Sequence, residues 1–302
     1  MKIRRKEHGG SELSSGYEVF DGNVWSDLPR AQLPAWLGEL PTDPATHAST
    51  LLPFSPRSFR DCLLYRTHWI QSSRGFVRRF MPLAYRVAQL YERVTGATFP
   101  PYRPSRLLDK QPIYYFGNHL NFVASGTPVH IPRYTQALDY ELELAFVLSK
   151  PLFNATEEQA WEAIGGFVVL NDLSARDVQF AEMKSGLGPQ KAKHFLSSLS
   201  REMVTADELM QRVDRLHAYV ELNGKRITET TTAGVEHSLG KTVAFLSREE
   251  HLYPGELIGT GTLPGGSGIE HGRLLQAGDR LRLVIEEVGE IEHEIIEPRR
   301  NS

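Results

Sequence analysis

The strongest feature that could carry chemistry is Glu141-Leu142-Glu143, within residues 138–148 (LDYELELAFVL), where acidic and apolar residues alternate. A period of two marks a strand with two distinct faces, and residues two apart on a strand project to the same side. Glu141 and Glu143 should therefore stand side by side, with Leu142, Leu144 and Phe146 turned toward a core. Like charges so placed are unfavourable unless solvent, a cation or a proton relieves them. Taken alone, the pattern favours a solvated strand face. Two further acids bear on it. Asp172 ends the apolar run 167–170, where an aspartate more often caps a helix than binds a ligand, and Asp61 stands in Phe59-Arg60-Asp61-Cys62. Three or four converging carboxylates would make an all-oxygen site for Mg²⁺, Mn²⁺ or Ca²⁺.

The elements that must position these groups are unevenly legible. Residues up to about 52 are rich in turn formers, with Gly9-Gly10, Asp21-Gly22 and four prolines, and read as a small, strand-poor unit; Pro53 and Pro56 mark an extended connector. From 74 to 96, Phe76, Phe80, Leu83, Val87, Leu90 and Val94 recur at helical spacing, with Pro82 as a kink or break. Arg78, Arg79, Arg86 and Arg93 read as a solvated cationic face. A strand is expected at 112–116. Thr156 caps a short helix that Gly165-Gly166 ends, 167–170 forms a buried strand, and a helix with Ser174 as N-cap covers 174–183. Hairpins are expected around Asn223-Gly224 and Val288-Gly289. Strands clustered late among few long helices indicate an α+β fold with a large mixed sheet.

Composition narrows the function classes. The 302 residues carry 34 Lys+Arg against 37 Asp+Glu, a net charge of −3, so no cationic surplus draws the chain to nucleic acid. Cys62 is the one cysteine, which excludes an internal disulfide and a thiolate metal cage. The basic N-terminus lacks the apolar core of a secretory signal, and no apolar run is long enough to span a bilayer. A soluble, cytoplasmic protein without membrane or nucleic-acid partners is expected. Gly265-Gly266-Ser267-Gly268 has Ile269 where a nucleophile elbow needs glycine, and Gly259-Thr260-Gly261 has Pro264 where a dinucleotide loop needs its third glycine.

LDYELELAFVL followed by VVLNDLSARDVQ closely resembles the paired motifs of the fumarylacetoacetate hydrolase superfamily. SFRDCLLYRTH and IYYFGNHLNFVASGTPVHIP upstream, and LYPGELIGTGTLPGGSG and LLQAGDRLRLVIEEVGEI downstream, fall in the family's order. The resemblance runs from about residue 56 to 298 and implies a mixed β-sandwich roll, usually dimeric. It divides the chain into a small N-terminal domain, 1–55, and a catalytic domain, 56–302. It places metal ligands on Asp61, Glu141, Glu143 and Asp172, for Mg²⁺ or else Mn²⁺ or Ca²⁺. It puts a water-activating histidine on His68, where imidazole can take a proton near neutral pH, and matches Glu270 to the acid that orients it. Lys193 matches a lysine that stabilises enolate or oxyanion charge; Ala192 replaces the usual preceding glycine, and Lys191 is a second candidate. Tyr115, Arg176, Gln179 and Thr260 fall on substrate-binding positions. Asp177 is an alternative, purely structural partner for Arg176. Ser197 stands where the family often has Thr, and Met183 replaces a substrate-contacting Tyr. The implied activity is metal-dependent hydrolysis of a carbon–carbon bond in a small acylpyruvate or 1,3-diketo acid. The alternative is a decarboxylase, dehydratase or tautomerase acting on a related 2-oxo acid.

Overall fold

The alternating segment splits in two. Leu138–Asp139 pairs with Ser174–Ala175, and Glu141–Leu148 forms a strand buried along its whole length. A computed structural model describes residues 1–6, 14–40 and 51–299, and Glu141–Leu148 lies near the middle of its larger, eleven-stranded sheet. Across the centre of that sheet the order is Ile164–Asn171, Glu141–Leu148, Glu256–Ser267, Ser58–Cys62 and Tyr114–Gly117. The pair Glu256–Ser267 and Ser58–Cys62 is parallel and the other three are antiparallel. A five-stranded sheet runs Lys225–Thr231, His217–Leu222, Arg280–Ile285, Gly289–Ile296 and Val129–His130.

The two sheets share one core, in which Leu142, Leu144 and Phe146 join Val220, Leu283 and Ile291. The opposite face of the large sheet, through Ala145, Val147, Val168 and Leu257, packs with Ile3, Tyr17, Phe54 and Phe59 in a second core. This is the α+β mixed-sheet sandwich that the sequence implies. No helix among the described residues is long and apolar enough to cross a membrane.

The N-terminal segment differs from its strand-poor reading. Lys2–Arg5, Ser14–Phe20 and Trp25–Pro29 are strands, and Lys2–Arg5 pairs with Glu202–Thr205 to extend the large sheet. The expected boundary near 55 falls in irregular chain whose Leu52 and Phe54 are buried in the second core. Gly165-Gly166 does not end the helix Glu157–Glu162; both glycines lie inside the strand Ile164–Asn171. Their lack of a side chain serves packing, because a Cβ on Gly165 would lie 2.7 Å from the Ser149 Cβ and 2.8 Å from the Trp36 ring. The helix expected from Ser174 begins at Arg176, with Ala175 at its N-cap; the Ser174 hydroxyl donates instead to the Asp172 carbonyl at 3.0 Å.

The helical stretch around 74–96 is two helices, Arg66–Phe80 and Pro82–Thr95, broken at Met81 as Pro82 predicts. The second turns Leu83, Val87, Leu90 and Val94 to the exterior. Asn223 and Gly224, both at positive φ, close the first expected hairpin. The strands Arg280–Ile285 and Gly289–Ile296 form the second.

Because Trp36 and Gly165 tie the N-terminal segment to the sheet, Gly165→Val should overpack this contact. A loss of about 1–3 kcal/mol is expected in denaturant unfolding. Trp36→Leu in the same chain should recover part of it, and full stability in Gly165→Val would count against the contact.

Candidate active site

The central strands bring the acids together across neighbouring positions. Asp61 pairs in register with Tyr115 on one side and Gly259 on the other, Glu143 lies opposite Leu170 and Thr262, and Asp172 directly follows Ile164–Asn171. Asp61, Glu143 and Asp172 are buried, and each offers a carboxylate oxygen within 4.8 Å of the others. Gly259 makes room for them: a Cβ there would lie 2.6 Å from Asp61 Oδ1 and 2.9 Å from Glu143 Oε2. Those same two oxygens are enclosed and find no hydrogen-bond partner among the described residues. Both Asp172 oxygens and the other Glu143 oxygen have donors. Tyr115 Oη donates to Asp172 Oδ2, Lys193 Nζ approaches that oxygen at 2.5 Å, Ser197 Oγ donates to Asp172 Oδ1 at 3.3 Å, and Thr262 Oγ1 donates to Glu143 Oε1 at 3.3 Å.

Burial and neighbouring Asp172 push the Asp61 carboxyl up to about 8. Burial, with Asp61, Asp172 and Glu141 around it, drives Glu143 well above the ordinary carboxylate range. Burial raises Asp172 as well, against the pull of Lys193. Glu141 behaves oppositely. Burial works against its charge, but the Arg176 guanidinium, the Lys193 ammonium and His68 hold its carboxyl far below the usual range. Arg176 Nη2 donates to Glu141 Oε1 at 2.7 Å, and Lys193 Nζ bonds Glu141 Oε2. Burial likewise disfavours the Lys193 ammonium, yet Asp172 and Glu141 keep it charged.

The helix Arg66–Phe80 carries His68 against this cluster. The buried imidazole places Nδ1 3.3 Å from Glu270 Oε2 and Nε2 3.6 Å from Glu141 Oε1. Glu270 is fixed by the short helical turn Gly268–His271. Its Oε2 accepts from the Ser267 amide at 3.0 Å and the Ser267 hydroxyl at 2.8 Å, and its Oε1 accepts from the Gly265 amide at 3.1 Å. Gly75 lets the helix lie directly on this turn, because any Cβ there would collide with the Ile269 carbonyl. A cavity of about 390 Å³ opens beside it, with Gln71, Arg74, Arg78, Thr228, Pro264 and Glu270 in its lining.

Of the residues singled out from sequence, Asp61, Glu143, Asp172, Lys193 and Tyr115 meet in one cluster. Glu141, Arg176 and Gln179 adjoin it through Lys193 and a 3.0 Å bond from Arg176 to Gln179. Thr260 is buried with its hydroxyl spent on the Leu144 carbonyl at 2.8 Å. Lys191 is exposed, its ammonium 5.2 Å from the Tyr134 ring centroid, and only Lys193 points inward. Asp177 does not pair with Arg176; it accepts from the Thr135 hydroxyl and the Gln136 amide, while Arg176 turns to Asp139 and Glu141. Sequence reasoning passed over Asp139, although it has the same strand parity as Glu141 and Glu143. It also passed over Gly259 and Thr262, whose roles follow only from strand pairing.

The raised carboxyls make a stability prediction for metal-free protein. The folded state binds protons more tightly than the unfolded chain from the ordinary carboxylate value of about 4 up through the Asp61 value of about 8, with Glu143 and Asp172 raised in the same direction. Stability should therefore fall as pH rises through that window. In chelator, the wild type should melt higher near pH 5 than near pH 8. Glu143→Gln should flatten this slope and raise the midpoint at the higher pH in scanning calorimetry. An unchanged slope would count against the cluster as its source.

A family model for the C-terminal region of fumarylacetoacetate (FAA) hydrolase matches residues 92–296. The chain is 29% identical over 168 residues to the mitochondrial oxaloacetate tautomerase FAHD1 of Bos taurus, covering 56% of this chain and 76% of that protein. It is 32% identical over 190 residues to the mitochondrial oxaloacetate tautomerase fahd2 of Xenopus laevis, covering 62% and 59%. Fumarylpyruvate hydrolase from Pseudomonas aeruginosa, solved with Mn²⁺ and pyruvate, superposes with a TM-score of 0.58 at 22% identity, over 83% of this chain and 93% of that one. A 5-carboxymethyl-2-hydroxymuconate delta-isomerase from Mycobacterium smegmatis gives 0.59 at 22% identity, over 82% and 79%. The matched segment spans Glu141, Glu143, Asp172, Lys193 and Glu270, and the fold is common to these neighbours: the chain belongs to the fumarylacetoacetate hydrolase family.

Proposed function

We propose that this family member is a metal-dependent hydrolase that cleaves a carbon–carbon bond in a small acylpyruvate or 1,3-diketo acid. The observation that carries the reading is the buried His68–Glu270 pair beside the acid cluster, since a reaction that only moves a proton along the substrate does not require an activated water. Asp61, Glu143 and Asp172 are the proposed metal ligands, with Glu141 as a fourth candidate. Two enclosed carboxylate oxygens without donors, in an all-oxygen set, suit a hard divalent cation such as Mg²⁺ or Mn²⁺. Such an ion would supply Lewis-acid polarisation of the substrate's oxygens.

The remaining roles follow from the chain's own groups. In the proposed role, Glu270, whose Oε2 lies 3.3 Å from His68 Nδ1, favours the tautomer with its proton on Nδ1, which would leave the Nε2 lone pair facing the Glu141 side of the cluster. Nε2 takes a proton from water as the water oxygen attacks the distal carbonyl. The bond between that carbon and its neighbour breaks, its electron pair passes to the departing enolate, and His68 returns the proton there. The Lys193 ammonium is positioned to meet the enolate charge. Tyr115 and the Arg176–Gln179 pair are proposed substrate contacts, and Thr260 would have to release the Leu144 carbonyl to join them.

A tautomerase or isomerase reading is the alternative, favoured by the names of the relatives above and because a cation held by the acids, with the Lys193 ammonium, would stabilise an enolate without any activated water. A metal-supplemented screen of acylpyruvates, oxaloacetate and 2-oxo-pentenoates, with product identification, separates the two. Under the hydrolase reading, His68→Ala should slow cleavage by about 10²–10⁴-fold. Deuterium uptake at the carbon between the carbonyls should persist. Cleavage at the wild-type rate in His68→Ala would sink the water-activation role. Separately, Glu143→Ala should lose most affinity for Mn²⁺ in calorimetric titration, and wild-type affinity would remove Glu143 from the ligand set.

A further inference from the structure

Asp139 lies just outside the acid cluster, fully buried, and its carboxylate receives four hydrogen bonds. Oδ2 accepts from Arg176 Nε at 2.8 Å and from the Ile269 amide at 3.0 Å. Oδ1 accepts from the Gly268 amide at 2.8 Å and from the Tyr140 amide at 2.9 Å. Four donors fill the lone-pair capacity of an ionised carboxylate, so no site on it is left for a ligand. Two of these donors open the turn Gly268–His271, the turn that carries Glu270. Gly268 is itself bare because a Cβ would collide with the Arg273 carbonyl and with Asp139 Oδ1. One side chain thus holds both Arg176 and the backbone under the partner of His68. Strand pairing adds to the clamp: Asp139 pairs in register with Ser174, and the Arg176 amide donates to the Ala137 carbonyl at 2.9 Å.

We propose that Asp139 is a positioning residue that locks the His68–Glu270 pair to Arg176. It touches no reacting atom and acts through the turn on one side and the guanidinium on the other. An ionised acceptor is needed because an amide offers only one oxygen to four N–H donors, so Asn at this position must face at least one of them with its own N–H₂ group. The turn and the guanidinium cannot then both keep their bonds. The inference rests on the reading of His68 and Glu270 as the water-activating pair.

The test is a cycle of Asp139→Asn, Glu270→Gln and the double variant, assayed as metal-loaded enzyme. Asp139→Asn should lower kcat by about 10–100-fold, the usual cost of losing a supporting partner, with a much smaller change in KM. In the Glu270→Gln background the same substitution should add little. Effects that multiply, or a loss confined to KM, would overturn the proposal. Two measurements stand apart from activity. In ¹⁵N spectra of metal-free protein, Asp139→Asn should shift or broaden the His68 ring-nitrogen signals as Glu270→Gln does, and unchanged signals would overturn the proposal. In the wild type, which needs no variant to fold, the Gly268 and Ile269 amides should be protected from hydrogen exchange. Exchange at surface rates would overturn it. Absence of turnover on every oxo-acid in the wild type would defeat the hydrolase reading and leave these spectroscopic outcomes to decide the role of Asp139.

Discussion

Three carboxylates enclosed within 4.8 Å of one another set the terms for everything around them. Two unit charges about 4 Å apart repel by about 4 kcal/mol at the effective dielectric of a protein site. The chain meets this constraint with local devices. A buried ammonium, Lys193, lies between Glu141 and Asp172, and three hydroxyls, from Tyr115, Ser197 and Thr262, each donate to the cluster. Gly259 withholds a side chain where one would strike Asp61 and Glu143. Among the described residues, the Lys and Arg side chains paired with the five buried carboxyls of Asp61, Asp139, Glu141, Glu143 and Asp172 are Lys193 and Arg176, with the His68 imidazole beside Glu141, so this part of the interior stays short of positive charge. A bound cation or retained protons must close the gap, which links the composition of the site to its occupancy.

Placing an imidazole beside such a cluster requires further restraint. His68 comes from a helix that ends at Met81, and its orientation depends on a four-residue turn on the far side of the chain. Gly75 removes the spacing that any side chain would force between helix and turn. Arg74 ties the same helix to the next one through Glu92, at 2.8 and 3.2 Å. The helix that carries the imidazole is thus fixed against its neighbour and against the turn, while the acids are held by strand pairing. Strands position the proposed metal ligands, whereas a helix and a short, locally capped turn position the proposed proton-transfer pair.

Much of this was readable in the chain and some was not, for reasons that are physical. Alternation gave the strand and put Glu141 and Glu143 on one face, and Asn223-Gly224 gave its hairpin because both residues sit at positive φ. The same alternation suggested a solvated face, yet every residue of the strand is buried. The difference arises because both faces are covered by packing partners remote in sequence, which local periodicity cannot report. Parity likewise could not tell that Glu143 would join Asp61 and Asp172 while Glu141 turned to Arg176 and Lys193. Gly165-Gly166 looked like a helix stop because glycine often is one; here the signal belonged to Trp36, more than a hundred residues upstream.

The parity of the central strand has a consequence for how the gene can change. Asp139, Glu141 and Glu143 share a side because they are spaced by two, with Leu142, Leu144 and Phe146 on the other. A single-codon insertion or deletion ahead of residue 144 would reverse that assignment for whatever lies on one side of it, sending carboxylates into the inter-sheet core and leucines into the site. Substitution can be absorbed residue by residue, but a change in length cannot. The tolerance for indels should instead collect at exposed connections such as Asn223-Gly224, leaving the distance from Asp139 to Glu143 frozen while flanking loops drift.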